Sequence, residues 1–409
     1  MRNTVMKEKV LMSNQRFAWI LAAAVLAATG VTPARAADEG GKRLDIYGFA
    51  QLDMGYEGKQ SDPDWFDVMR PTKLPSFEDE FGGDGHTYAS VRQSRLGFKG
   101  YIPTSNGKEI KTIFEFELFG TGVDAGQTTF RLRHAWGEYG QWGAGQSWSP
   151  FMDPDVFPNS LEYWGPSGMV FFRNVQLRYM PMQGPDEVWI ALERPGASGD
   201  PGVLVGTPEL AGLQGRFPYP DLSAHYRMTR DWGHVQAAGI LRYMKWDDTV
   251  APFTSSGDAT GWGINLSANL KVMQEDVVRL QVVYGEGIAN YMNDATADVG
   301  ATGNADVGEA LPVLGIVAFY DRTWNKEWTT SIGYSLIDID NSAAQAPSAF
   351  HLWQYALVNL LNHSVDNLMF GAELQWGDRE NNSDGFTSND WRVQVSVKYN
   401  FGYSLGGKP

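Results

Sequence analysis

RVQVSVKYNF, Arg392 to Phe401, alternates without a break. Val393, Val395, Val397, Tyr399 and Phe401 fall on one side, and Arg392, Gln394, Ser396, Lys398 and Asn400 on the other. A period of two with one apolar and one polar, cationic face is the pattern of a strand that separates hydrocarbon from water. Only helices and closed barrels satisfy every backbone hydrogen bond inside a bilayer. No stretch beyond the N-terminus approaches the ~20 consecutive apolar residues of a spanning helix, so the expected fold is all-β, a transmembrane antiparallel barrel.

The other end of the chain supports export. Arg2, Lys7, Lys9 and Arg16 precede the apolar run Phe17 to Ala28, and Ala34-Arg35-Ala36 is a small-x-small cleavage site. Residues 1–36 therefore read as a signal peptide, 37–43 as a short periplasmic segment, 44–401 as the barrel and 402–409 as a C-terminal tail. Cysteine is absent, which excludes disulfides and thiolate metal sites. Loss of the leader removes five Lys/Arg and one Glu and takes the net charge from -15 to -19, which argues against a nucleic-acid partner.

Between these ends we read sixteen alternating segments, an even number as a bacterial barrel requires. Seven short connectors, such as Pro103 to Gly107 and Val272 to Gln274, alternate with eight longer loops rich in Gly, Asp, Pro and Ser. The short set fits the periplasmic side and the long set the outer side. Parity fixes the faces, because a lipid-facing Lys or Arg at the midplane costs ~2–4 kcal/mol: Lys111, Glu115 and Glu117 must face the lumen, opposite Phe114, Phe116 and Leu118. Two segments, 311–320 and 351–361, are apolar on both faces; inner-face packing against an inserted loop is the expected account, and a slipped register in the strand reading is the alternative. Many of the 15 Trp sit near strand ends, where interfacial girdles place them.

Sixteen strands enclose an aqueous channel, so the expected function is diffusion of small solutes through a pore. Trp148 to Gly168 follows the fifth strand, holds four prolines and is rich in Phe151, Phe157, Tyr163 and Trp164. Such a loop exposed to water would be a large apolar patch; folded inward it becomes the constriction, the alternative being an outward loop that packs on its neighbours. Arg95, Arg131, Arg133 and Arg178 lie on polar faces nearby, and fixed guanidinium groups attract carboxylates. The alternative is that these arginines only pair with Glu115, Glu117 and Glu138 and stiffen the wall. Phe157 and Tyr163 are further pore-lining candidates. None of the six histidines stands near a nucleophile-elbow or HExxH motif, so no catalytic residue, metal site or cofactor is expected. A surface adhesion barrel, or a pore for sugars or phosphate, is the alternative function.

The segments RLRHAWGEYGQWGAGQSWSPFMD (Arg131 to Asp153), YASVRQSRLGFKGYIP (Tyr88 to Pro103) and LDIYGFAQLDMGY (Leu44 to Tyr56) resemble the DcaP-like outer-membrane porins. The resemblance implies a sixteen-stranded homotrimer in the Gram-negative outer membrane, in contact with its lipid and lipopolysaccharide. It also implies uptake of small anionic solutes, dicarboxylates among them, through an arginine-lined pore that would match Arg95, Arg131, Arg133 and Arg178. Some relatives carry a helical extension before the barrel; only Ala37 to Arg43 precedes it here, so a trimer would form through barrel walls.

Overall fold

The computed structural model describes residues 41–304 and 307–406; the expected signal peptide lies outside them. Sixteen strands form one closed antiparallel barrel: β1 (Arg43–Glu57), β2 (Arg95–Pro103), β3 (Glu109–Phe119), β4 (Thr128–Tyr139), β5 (Trp142–Trp148), β6 (Arg173–Met182), β7 (Asp186–Glu193), β8 (Asp221–Arg230), β9 (Gly233–Asp248), β10 (Gly257–Val272), β11 (Asp276–Glu286), β12 (Pro312–Thr323), β13 (Trp328–Ile339), β14 (Phe350–Val365), β15 (Leu368–Asn381) and β16 (Thr387–Gly406). Each pairs with the next, and β16 closes on β1 from Arg392↔Glu57 to Gly406↔Arg43. Closure leaves no unpaired edge. Among the described residues no helix is long and apolar enough to cross a membrane.

The deciding segment behaves as its alternation requires. Val393, Val395, Val397 and Tyr399 are exposed on the barrel's outer surface, while Arg392, Gln394 and Ser396 are buried inside it. Seven short turns and eight longer loops alternate around the barrel, although β14 continues through Asn362–Val365, expected as a turn, and the turn falls at 366–367. Two further boundaries reshape the barrel's seam and inner wall. The second strand, expected to run unbroken from 87 to 102, is interrupted at 91–94: His86–Ser90 still pairs with β1, but Arg92 turns away to Asp67 and the carbonyl of Gly120. The last strand continues past Phe401 to Gly406, so the segment expected as a tail from 402 completes the seam with β1 instead, and only 407–409 lie beyond the described residues.

The largest hydrophobic cluster lies inside the barrel. Inward residues of β12–β14, among them Val313, Val317, Phe319, Ile337, Trp353 and Tyr355, pack against Phe151, Met152, Met169 and Val170 of the 149–172 loop and against Met69, Tyr291 and Met292 of two other inward loops. This explains the two strands that are apolar on both faces: one face meets lipid, the other meets a folded-in loop. Gly168 and Gly315 make the contact close. A Cβ on Gly168 would stand 2.0 Å from the Leu336 carbonyl oxygen, and one on Gly315 would stand 2.3 Å from that of Gly168.

Candidate functional site

The 149–172 loop crosses the lumen, and both of its ends are held by wall side chains. Asp153 caps the short turn Pro154–Val156 by accepting the Asp155 amide, and its carboxylate is gripped by Ser267 at 2.6 Å and His234 Nε2 at 2.8 Å. Asn265 donates to the Phe151 carbonyl at 2.8 Å and Asn269 to that of Asp155 at 2.6 Å. On the far side, Glu373 of β15 accepts the amides of Leu161 and Glu162 at 2.7 and 2.9 Å, and Ser335 accepts that of Gly168 at 3.1 Å. Glu162 itself accepts the amides of Met69, Trp164 and Gly165. Burial pushes its carboxyl up to about 8 against the pull of those donors. Asp153, Asp155 and His234 converge within 4.8 Å, but Arg227 already forms ion pairs with both carboxylates, and we assign this cluster no metal role.

Facing the loop is a wall of charge on β2–β4. A β-bulge does the aiming: Glu115 pairs with His134 and Phe116 with Leu132, leaving Arg133 as the extra residue of β4. Arg131, Arg133 and His134 thereby all turn inward, which strict alternation forbids. Arg133 lies 2.6 Å from both Glu115 and Glu117. Arg95 stands 3.8 and 3.7 Å from the same two acids, Arg131 3.5 Å from Glu117 and Arg173 3.8 Å from it. Four guanidinium groups against two carboxylates leave a net charge of +2. Arg133 and Arg173 are buried, whereas the side chains of Arg95 and Arg131 are 25% and 29% exposed and face the open lumen. Lys99 and Lys398, over the rings of Tyr47 and Phe49, continue the positive strip toward the short-turn end.

A closed sixteen-stranded barrel with an inward loop opposite a basic wall is the architecture of an outer-membrane channel, and the family model of the DcaP outer membrane protein matches residues 40–401. The chain belongs to this family. Among solved structures it is similar to the outer-membrane channel DcaP of Acinetobacter baumannii, at 22% identity and TM-score 0.72, covering 89% of this chain and 98% of that one. It shares its fold with an anion-selective porin from Comamonas acidovorans (12%, TM-score 0.56, covering 88% and 100%) and with OmpT of Vibrio cholerae in its trimer form (11%, TM-score 0.54, covering 88% and 100%). No curated protein matches. Family and fold make it an outer-membrane channel protein.

In this DcaP-family barrel the expected site residues separate into groups. Arg95, Arg131 and Arg133 come together with Tyr163, whose hydroxyl bonds Glu117 and whose ring stacks on Phe119 at 4.1 Å. Arg178 stands apart from them. It is buried between Trp136 and Trp189, 4.7 and 4.1 Å from their rings, and donates to the Trp148 carbonyl, so it braces the root of the loop. Phe157 is half-buried and packs on Phe171 at 5.6 Å. Glu138 bonds the Trp136 indole and takes no part in the arginine cluster. Two residues escaped the sequence reading. Arg173 was hidden because the loop runs on to Phe172, four residues past Gly168, where its composition ends. Arg70 sits in the acidic first loop, where nothing in the pattern sets it apart from a solvated charge. Both line a mouth cavity of about 350 Å³ together with Arg131, Tyr163, Trp164 and Asp294.

Proposed function

We propose that this channel admits small anionic organic solutes, dicarboxylates among them, by passive diffusion, and that it works as a homotrimer after export by its N-terminal leader. The observation that carries this reading is the cluster of Arg95, Arg131, Arg133 and Arg173 around Glu115 and Glu117, with its surplus of two positive charges beside the loop. Selectivity follows the field at the narrowest place and not the whole-chain charge, which is negative. Arg133 is committed to the two acids, in line with a wall-stiffening role. Arg95 and Arg131 keep exposed surface for a passing carboxylate. Tyr163 and Phe157 shape the loop beside them, and lipid and lipopolysaccharide would surround the apolar outer face.

The test is single-channel conductance of the refolded mature chain in a planar bilayer under a salt gradient, with and without succinate. The expected result is an anion-leaning reversal potential, closure in three steps and block by succinate. Arg131→Ala should weaken the anion preference, while Arg178→Met should leave it unchanged. Cation preference without block would overturn the reading.

A further inference from the structure

Where the first outer loop meets the 287–311 loop, a protein carboxylate lies in a ready cradle. Asp294 Oδ1 accepts from Arg70 Nη2 at 2.5 Å and Oδ2 accepts the Thr72 amide at 3.1 Å, while the Thr72 hydroxyl lies 3.0 and 2.8 Å from the two oxygens. One guanidinium, one amide and one hydroxyl converging on two oxygens are what recognition of an organic acid demands. Arg70 and Asp294 both line the mouth cavity. Asp294 is an acid placed at the entrance of a basic pore, where it opposes the solute the wall below would attract.

Neither half of the pair depends on the other for its position. Arg379 donates to the carbonyls of Pro71 and Leu74 at 3.3 and 3.0 Å, and the Met69 amide is bound to Glu162 at 3.1 Å, so the Arg70–Thr72 segment is held from behind. The Arg70 guanidinium lies 4.1 Å from the Trp65 ring and 3.9 Å from that of Trp164. On the other loop the Asn293 amide donates to Met169 at 2.9 Å and its side chain to Pro166 at 3.2 Å. The ion pair is thus not the fastening between the loops.

We propose that Arg70 and Thr72 form the outermost carboxylate subsite of the pore and that Asp294 is its resident competitor, displaced by the carboxylate of an incoming solute. This rests on the anion-pore reading above. A tethered competitor acts at high effective concentration, which keeps the subsite weak enough for the solute to leave it, as conduction requires. Arg131 lies 6.0 Å from the same Trp164 ring that Arg70 covers, so an anion leaving one guanidinium meets the next along a single indole.

The experiment is succinate block of single channels for the refolded wild type, Asp294→Asn, and Asp294→Asn combined with Arg70→Gln. Removing the competitor from a charge-assisted site lowers the half-blocking concentration about tenfold, and removing Arg70 as well abolishes that gain. A half-blocking concentration in Asp294→Asn equal to or above that of the wild type overturns the proposal. So does a gain that survives loss of Arg70, since it would arise from loosened loops. Wild-type block with no effect of Asp294→Asn removes the competitor and leaves the anion pore standing; absence of block in all three channels with cation preference removes both.

Discussion

On β2–β4 the inward positions hold Arg95, Lys99, Glu115, Glu117, Arg131 and Arg133; on β12–β14 they hold Val313, Val317, Phe319, Ile337, Trp353 and Tyr355. Both walls carry apolar residues outward to lipid, yet one lumen face is ionic and partly open while the other is dry. The constriction loop creates the difference. It offers Phe151, Met152, Met169 and Val170 to the apolar wall and directs the Tyr163 hydroxyl to Glu117 on the ionic one. A pore in such a barrel is therefore not central. On the anion-pore proposal it runs along the arginine wall, and the apolar wall holds the loop against it.

The strongest way to break this comparison is to reverse the ionic wall. Arg131→Glu with Arg173→Glu turns a surplus of two positive charges into a deficit of two while leaving the Arg133 pairs with Glu115 and Glu117 intact. The ratio of anion to cation permeability is expected to fall below one, read from the reversal potential. An unchanged ratio would mean that the field is set elsewhere.

The dry wall is tested at its closest contact. Gly168→Ala places a methyl group against the Leu336 carbonyl, where there is no room for it. Overpacking of this kind costs about 1–3 kcal/mol, and the loop can relieve it only by lifting from β12 and β13. The expected outcome is a lower unfolding temperature with larger, noisier conductance and little change in selectivity, because the charges lie on the opposite wall. A selectivity change as large as that of the charge reversal would erase the distinction between the walls.

The two walls also differ in how legible they were. Alternation set the barrel, the lipid face and the lumen face, because a one-residue slip would put Arg392 or Glu117 into hydrocarbon. The dry wall appeared as strands apolar on both sides, and an aromatic, proline-rich loop was the matching piece. The ionic wall was only partly readable. Arg131 and Arg133 share one parity, but the bulge that turns His134 inward with them follows from tertiary packing and leaves no period in the sequence. Arg178 has the same alternation as a pore residue and is instead sandwiched by two tryptophans from β4 and β7, a placement that needs the strand order and the loop root together. Arg70 and Asp294 are 224 residues apart and meet only because two outer loops fold inward.

The smallest expected effect on selectivity concerns the loop's own acid, Glu162, which is moved from the ordinary 4.5 to about 8 by burial. The docked loop therefore favours the neutral carboxyl, whereas an undocked loop ionises near 4.5. Docking is at full strength below that value, weakens as pH rises toward 8 by on the order of 1 kcal/mol per pH unit, and levels off once the docked form ionises as well. Channel noise and protease sensitivity of the 149–172 segment should rise from pH 5 to pH 8 and then flatten, and Glu162→Gln, which keeps the shape and cannot ionise, should remove the dependence. If pH moves selectivity instead of noise, the titrating group stands on the arginine wall, and the two sides of the lumen are coupled more closely than their opposite chemistry implies.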